Sequence, residues 1–182
     1  ARIDGTGNLV KIAGTPLTGT LTADNTGVGT GALAAVTTGV DNSAYGVNAL
    51  NALTSGNDNT AFGDNAMPVA TTANNNVAVG SAAGLALSTA AGNPLIVTNA
   101  GLAVTTSSNN VALGLNALSS AVTNGSNTAI GTSALSTVNS AVVGEGIENT
   151  AVGVSALSGL TTGSYNTSVG QSAGSSLTTA TN

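Results

Sequence analysis

Apolar and polar positions along this chain recur every seventeen residues, not with the short period of a lone strand or helix. The string Asn149-Thr150-Ala151-Val152-Gly153-Val154-Ser155-Ala156-Leu157 matches Asn127-Thr128-Ala129-Ile130-Gly131-Thr132-Ser133-Ala134-Leu135. Further copies begin at Asn25, Asn42, Asn59, Asn76, Asn110 and Asn166, and Asn93 falls in register between two of them. The step is seventeen throughout except from Asn127 to Asn149, where it is twenty-two, one repeat plus five inserted residues. Counting from each Asn as position zero gives nine rows whose columns are nearly uniform. Position three is always large and apolar: Val28, Tyr45, Phe62, Val79, Ile96, Leu113, Ile130, Val152 and Val169. Position four is Gly in eight rows, with Val97 the exception, and position seven is Ala in every row from Ala32 to Ala173. Position eleven is apolar in every row: Val36, Leu53, Ala70, Leu87, Val104, Ala121, Val138, Leu160 and Leu177.

These columns predict an all-β chain, a parallel β-solenoid of about nine 17-residue coils. Coils stacked at about 4.8 Å place equivalent residues in ladders. Positions three, seven and eleven are expected to point inward and form one core, so Tyr45 and Phe62 are expected to stack inside it. Ala suits a narrow coil, and Gly after the apolar residue suits a corner with positive φ. Asn25, Asn42, Asn59, Asn76, Asn93, Asn110, Asn127, Asn149 and Asn166 are expected to stack as an amide ladder that satisfies groups a bend leaves unpaired. Thr pairs such as Thr71-Thr72 and Thr161-Thr162 suit a strand or a hydroxyl-bonded turn. A helical repeat would also meet the spacing of positions three, seven and eleven. It would carry a Gly in each helix at about 1 kcal/mol, and seventeen residues are too few for a two-helix unit.

Residues 1–24 lack the columns and are expected to form an N-terminal lead-in or cap, with 25–182 forming the solenoid; Asn8 is in register, but Lys11 would land on an apolar column. The stretch 139–148 carries the insertion with Glu145 and Glu148 and reads as a bulged loop. Pro94 replaces the usual Thr in the most degenerate repeat. The absence of Met at Ala1 suggests a piece of something longer, and the lack of a C-terminal capping motif suggests that the rod continues or is covered by another subunit.

Composition narrows the chemistry. Only 5% of residues are charged, against about 25% in ordinary soluble proteins. With 41% hydrophobic residues and a net charge of −5, an ordered repeat fits better than disorder. There is no Cys and no His, which removes thiolate sites and the commonest general base. Arg2 and Lys11 are the only bases, too few for a nucleic-acid surface. No run of eighteen apolar residues is present, so no membrane insertion is expected.

Asp24, Asp41 and Asp58 lie seventeen residues apart, just before their Asn residues, with Asn75 continuing the column. Stacked carboxylates at about 5 Å repel by roughly 1 kcal/mol even at water-like dielectric. A Ca²⁺ ion would relieve this, and solvated turn residues bonding local amides are the simpler alternative. Asp58 and Asp64 are near enough in sequence for a glycosidase pair, but no aromatic sugar platform accompanies them. No His or Lys stands near any Ser or Thr to activate a nucleophile. Gly27-Val28-Gly29 and Gly29-Thr30-Gly31 are corner glycines of the repeat and not dinucleotide loops. The chain is therefore not expected to be an enzyme. Thr columns raise ice binding, yet alternation along a strand points only one of two adjacent Thr columns outward. Tyr165 replaces a polar residue and is a lone candidate for surface contact.

The sequence Asn149 to Tyr165 resembles the Asn-Thr-Ala-x-Gly-x-x-Ala-Leu repeats of phage tail fibres and related bacterial surface fibres, many of which end in a chaperone-peptidase domain. The opening Arg2-Ile3-Asp4-Gly5-Thr6-Gly7-Asn8 is similar to segments common in such fibres. More distantly the repeat is similar to trimeric autotransporter adhesin heads. The resemblance implies a homotrimeric fibre segment, a shaft or receptor-contact module, located in a virion tail fibre or at a cell surface and facing a host glycan or protein receptor. It does not carry over self-cleavage, because no peptidase domain is present in these 182 residues. A non-viral bacterial filament or adhesin subunit is the alternative, and an ice-binding solenoid a weaker one.

Overall fold

The computed structural model describes residues 2–3, 9–10, 24–121, 123–139, 142 and 144–181. Two short strands, β1 (Arg2–Ile3) and β2 (Leu9–Val10), pair antiparallel. Most of the expected lead-in or cap lies outside the described residues. Nine three-residue strands follow, one per coil: β3 (Thr26–Val28), β4 (Ser43–Tyr45), β5 (Thr60–Phe62), β6 (Val77–Val79), β7 (Pro94–Ile96), β8 (Val111–Leu113), β9 (Thr128–Ile130), β10 (Thr150–Val152) and β11 (Thr167–Val169). They form one parallel sheet in chain order, and no helix is present among the described residues. The register is in phase throughout, with Thr60 opposite Val77 and Ala61 opposite Ala78, so each coil repeats the one before. The twenty-two-residue step is absorbed outside the sheet, because Thr128 still pairs with Thr150 and Ile130 with Val152.

The chain is therefore a β-solenoid, as its columns predict, but one column faces the other way. Position three points outward, where inward packing was expected: Tyr45, Phe62, Leu113 and Val169 are exposed, and the other five members are half-buried. Position two points inward instead, with Ala44, Ala61, Ala78, Leu95, Ala112, Ala129 and Ala151 buried. The reason is pleating. Alternate residues of a strand face opposite sides, and the buried Asn at position zero fixes position two inside and positions one and three outside. The rest of the core comes from Ala at position seven, Leu or Met at position eight, the apolar residues of position eleven and small residues at position fourteen such as Ala73 and Ala90. Leu177, in the last coil, is the one exposed member of position eleven.

Position eight shows how burial overrides backbone preference. Leu33, Leu50, Met67, Leu118, Leu135 and Leu157 have φ between 47° and 53°, the left-handed region. That conformation costs about 1–2 kcal/mol for a residue with a Cβ. Burying a Leu or Met side chain returns about 1.5–3 kcal/mol, so the core term wins. Where position eight is Gly84 or Gly101, Leu95 reaches in from position two of the neighbouring or same coil. A Cβ on Gly101 would lie 2.7 Å from Leu95 Cδ2, and one on Gly84 2.9 Å from Leu95 Cδ1. A single large side chain thus fills the space that two missing ones leave.

The fifth coil carries two local penalties. Pro94 has no N–H, and the bond made elsewhere from position one to the next ladder Asn carbonyl, as in Thr60 N–H to Asn76 O (2.8 Å), is lost there. Val97 takes the corner that is Gly in the other coils and has φ 90°. A β-branched residue at positive φ is strained by about 1–3 kcal/mol. Val97→Gly is therefore expected to raise stability by about 1 kcal/mol after loss of its half-exposed side chain. Thermal melting followed by circular dichroism checks this, and a lower Tm would refute it.

Candidate interaction surface

The ladder Asn residues are structural and fully engaged. Each is buried, Asn42, Asn76, Asn93, Asn110, Asn127 and Asn149 completely so. In the second coil, the Asn42 backbone N–H and Nδ2 both donate to Asn25 Oδ1 (2.9 and 3.0 Å). Asn42 Nδ2 also donates to the carbonyls of Val40 (2.9 Å) and Gly56 (2.8 Å). One amide thus ties three strands of backbone: its own coil at the far end, the chain entering the coil, and the coil before. The pattern repeats at Asn59, Asn76 and Asn166. Across the inserted residues, Asn149 still donates to Asn127 Oδ1 from both its backbone N–H (2.9 Å) and Nδ2 (3.1 Å). No buried side-chain nitrogen or oxygen among the described residues lacks a hydrogen-bond partner. Nothing in this column is left over to bind a ligand.

Asp24, Asp41 and Asp58 are exposed and have φ of 73°, 57° and 56°. The rest of their column is Asn75, Gly92, Asn109, Ser126, Glu148 and Tyr165, all with φ between 55° and 69°. The backbone here needs the left-handed region in every coil, and Asp, Asn and Gly tolerate it best. Backbone geometry accounts for the residue types without an ion. No group of three His, Cys, Asp or Glu is placed to hold a metal among the described residues. Addition of EDTA is expected to leave the Tm unchanged. A fall of several degrees, restored by Ca²⁺, would mean that the column binds metal after all.

The other expected sites separate likewise. Asp58 and Asp64 flank β5 at its two ends, both exposed, and Asp64 Oδ1 accepts the Val47 N–H (3.1 Å). The Thr columns lie in bends outside the strands, so strand alternation does not sort them, and Thr37 is exposed like Thr38. At position twelve the hydroxyls of Thr37, Thr54, Thr71, Ser88 and Thr161 donate to the same position of the next coil, for example Thr54 Oγ1 to Thr71 O at 3.1 Å. The neighbouring hydroxyls of Thr38, Ser55, Thr72, Thr89 and Thr106 face solvent. Tyr165 is exposed at its left-handed corner.

The outward ladder at position three is the surface that inspection of apolar columns alone misplaces. Tyr45 and Phe62 do stack, with ring centroids 5.6 Å apart and planes tilted by 31°, but on the outside of the sheet, 37% and 57% exposed. The ladder spans nine coils from Val28 to Val169, on the order of 40 Å at the stacking distance of paired strands. Three members of position five, Val47, Leu115 and Val154, are also exposed and apolar. Isolated exposed apolar residues are ordinary, whereas a contiguous apolar strip of several hundred Å² marks a contact surface. Comparisons with protein-family models, curated proteins and solved structures return no match to this chain.

Proposed function

We infer that the chain is a non-enzymatic structural segment of a phage tail fibre or similar adhesive fibre, serving as shaft or receptor-contact module and working as a homotrimer outside the cell or on a virion. The observation that carries this reading is the unbroken in-phase stack of nine strands with an internal amide ladder. Such a stack makes a stiff rod whose cross-section hardly changes with length. The likeness of Asn149–Tyr165 to tail-fibre repeats adds the biological setting. Parallel identical chains would present any receptor contact in several copies, so weak contacts would add through avidity.

Light scattering coupled to small-angle X-ray scattering tests the reading. An elongated particle of three chains is expected, and a monomer at micromolar concentration overturns it. Mass spectrometry of purified virions separates the tail-fibre setting from a bacterial filament. The solvent-facing Thr and Ser column, Thr38 to Thr106, favours a second reading as an ice-binding rod. One such column is narrow for ordering an ice plane, and no thermal hysteresis is expected at millimolar protein.

A further inference from the structure

Among the described residues, no other element packs on the outward apolar ladder at position three. We propose that it is the face through which copies of this chain pack side by side, so that the self-contact is made by Val28 through Val169 on the outer side of the sheet. This deepens the fibre reading, which requires copies side by side but does not say which face joins them.

Three features select a second copy as the occupant. The first is pitch. A partner that fills the ladder must present apolar groups at the spacing of stacked strands, about 4.8 Å, over roughly 40 Å. Another copy of this solenoid has that spacing by construction. The second is charge. The columns on either side of the ladder, positions one and five, contain a single charged residue, Asp64. Equivalent faces therefore meet with little like-charge repulsion, while Asp41, Asp58 and Glu148 stand at a different column. The third is area. Two aromatic and seven aliphatic side chains, all partly exposed, leave on the order of 500 Å² open. Adding Val47, Leu115 and Val154 brings the strip near the roughly 800 Å² per partner of a standard interface.

The absence of native Cys gives a clean test. Ile96 lies on the fifth of nine coils, so it meets its counterpart whether copies run parallel or antiparallel. Ile96→Cys is expected to form a covalent dimer with a short thiol-to-thiol crosslinker, and Thr106→Cys, exposed on the same coil, is expected to give none. In parallel, Ile96→Glu combined with Ile130→Glu is expected to raise the self-dissociation constant at least tenfold while the strand circular dichroism is kept. If the wild-type chain assembles but crosslinks through Thr106→Cys and not Ile96→Cys, the ladder contact is overturned and the fibre reading stands. If Ile96→Cys crosslinks yet the particle is a compact dimer, the ladder contact stands and the trimeric fibre is overturned. A monomeric wild-type chain overturns both. Should the double Glu variant fail to fold, the crosslinking pair decides alone.

Discussion

Asn59→Ala is expected to destabilise the solenoid by about 3–5 kcal/mol, the cost of leaving several buried polar groups unpaired at about 1–3 kcal/mol each. The Asn59 side chain donates to the carbonyls of Ala73 (2.7 Å) and Asn57 (3.0 Å) and to Asn42 Oδ1 (3.0 Å). Its own Oδ1 accepts the Asn76 backbone N–H and Nδ2, both at 3.1 Å. Water cannot replace these partners, because Asn59 is 1% exposed. Chemical denaturation followed by circular dichroism measures the loss; a change under about 1 kcal/mol would mean that the ladder does not hold the coils together. Asn59→Asp sharpens the test. A carboxylate there faces three oxygen acceptors, so its folded pKa is raised above the unfolded value of about 4. The variant is therefore expected to be most stable below that pH and to lose stability as pH rises through and above it.

The second large effect is expected at the corner glycines. Gly63 has φ 140°, and a Cβ on it would lie 2.6 Å from the Gly80 carbonyl carbon in the next coil. Gly63→Ala must either push two coils apart in the middle of the stack or move the corner backbone as Val97 does at φ 90°, and a loss of about 3 kcal/mol follows from combined backbone strain and weakened inter-coil bonds. Gly170 supplies the control. Its φ is 125°, but the nearest atom to an added Cβ is Ala173 Cβ at 3.8 Å, because no later strand stacks on β11. Gly170→Ala carries the dihedral strain alone, roughly 1–2 kcal/mol. Equal losses at the two sites would show that conformation, not the close approach of coils, dictates glycine.

Much of this fold is legible in the columns. The invariant Asn and Ala, the apolar position eleven and the corner Gly give period, strand count and class, because each is forced by stacking identical coils. The outward turn of position three is also encoded, though less plainly. Large apolar residues suggest a core, and Tyr45 or Phe62 taken alone fits that expectation. The contrary signal is the small residue at position two. It is Ala in most coils and becomes Leu95 next to Gly84 and Gly101, a compensation that only buried residues need. Since position two lies inside, pleating sends position three out. The acidic column illustrates the opposite case. Seventeen-residue spacing of Asp24, Asp41 and Asp58 fits a stacked cation site and solvated turn residues alike, and their common positive φ, invisible in sequence, adds a backbone reason for the residue types.

The coil between Asn127 and Asn149 accepts five extra residues without disturbing the pairing of β9 with β10. Asn127 Nδ2 still reaches the carbonyl that closes its coil, now Gly146 O at 2.8 Å. This corner is therefore a graft point: a peptide inserted between Asn139 and Gly146 would leave the axial ruler intact and be displayed at a fixed height along it. The rod can vary what it shows to its surroundings by changing one loop, while every other coil keeps its place.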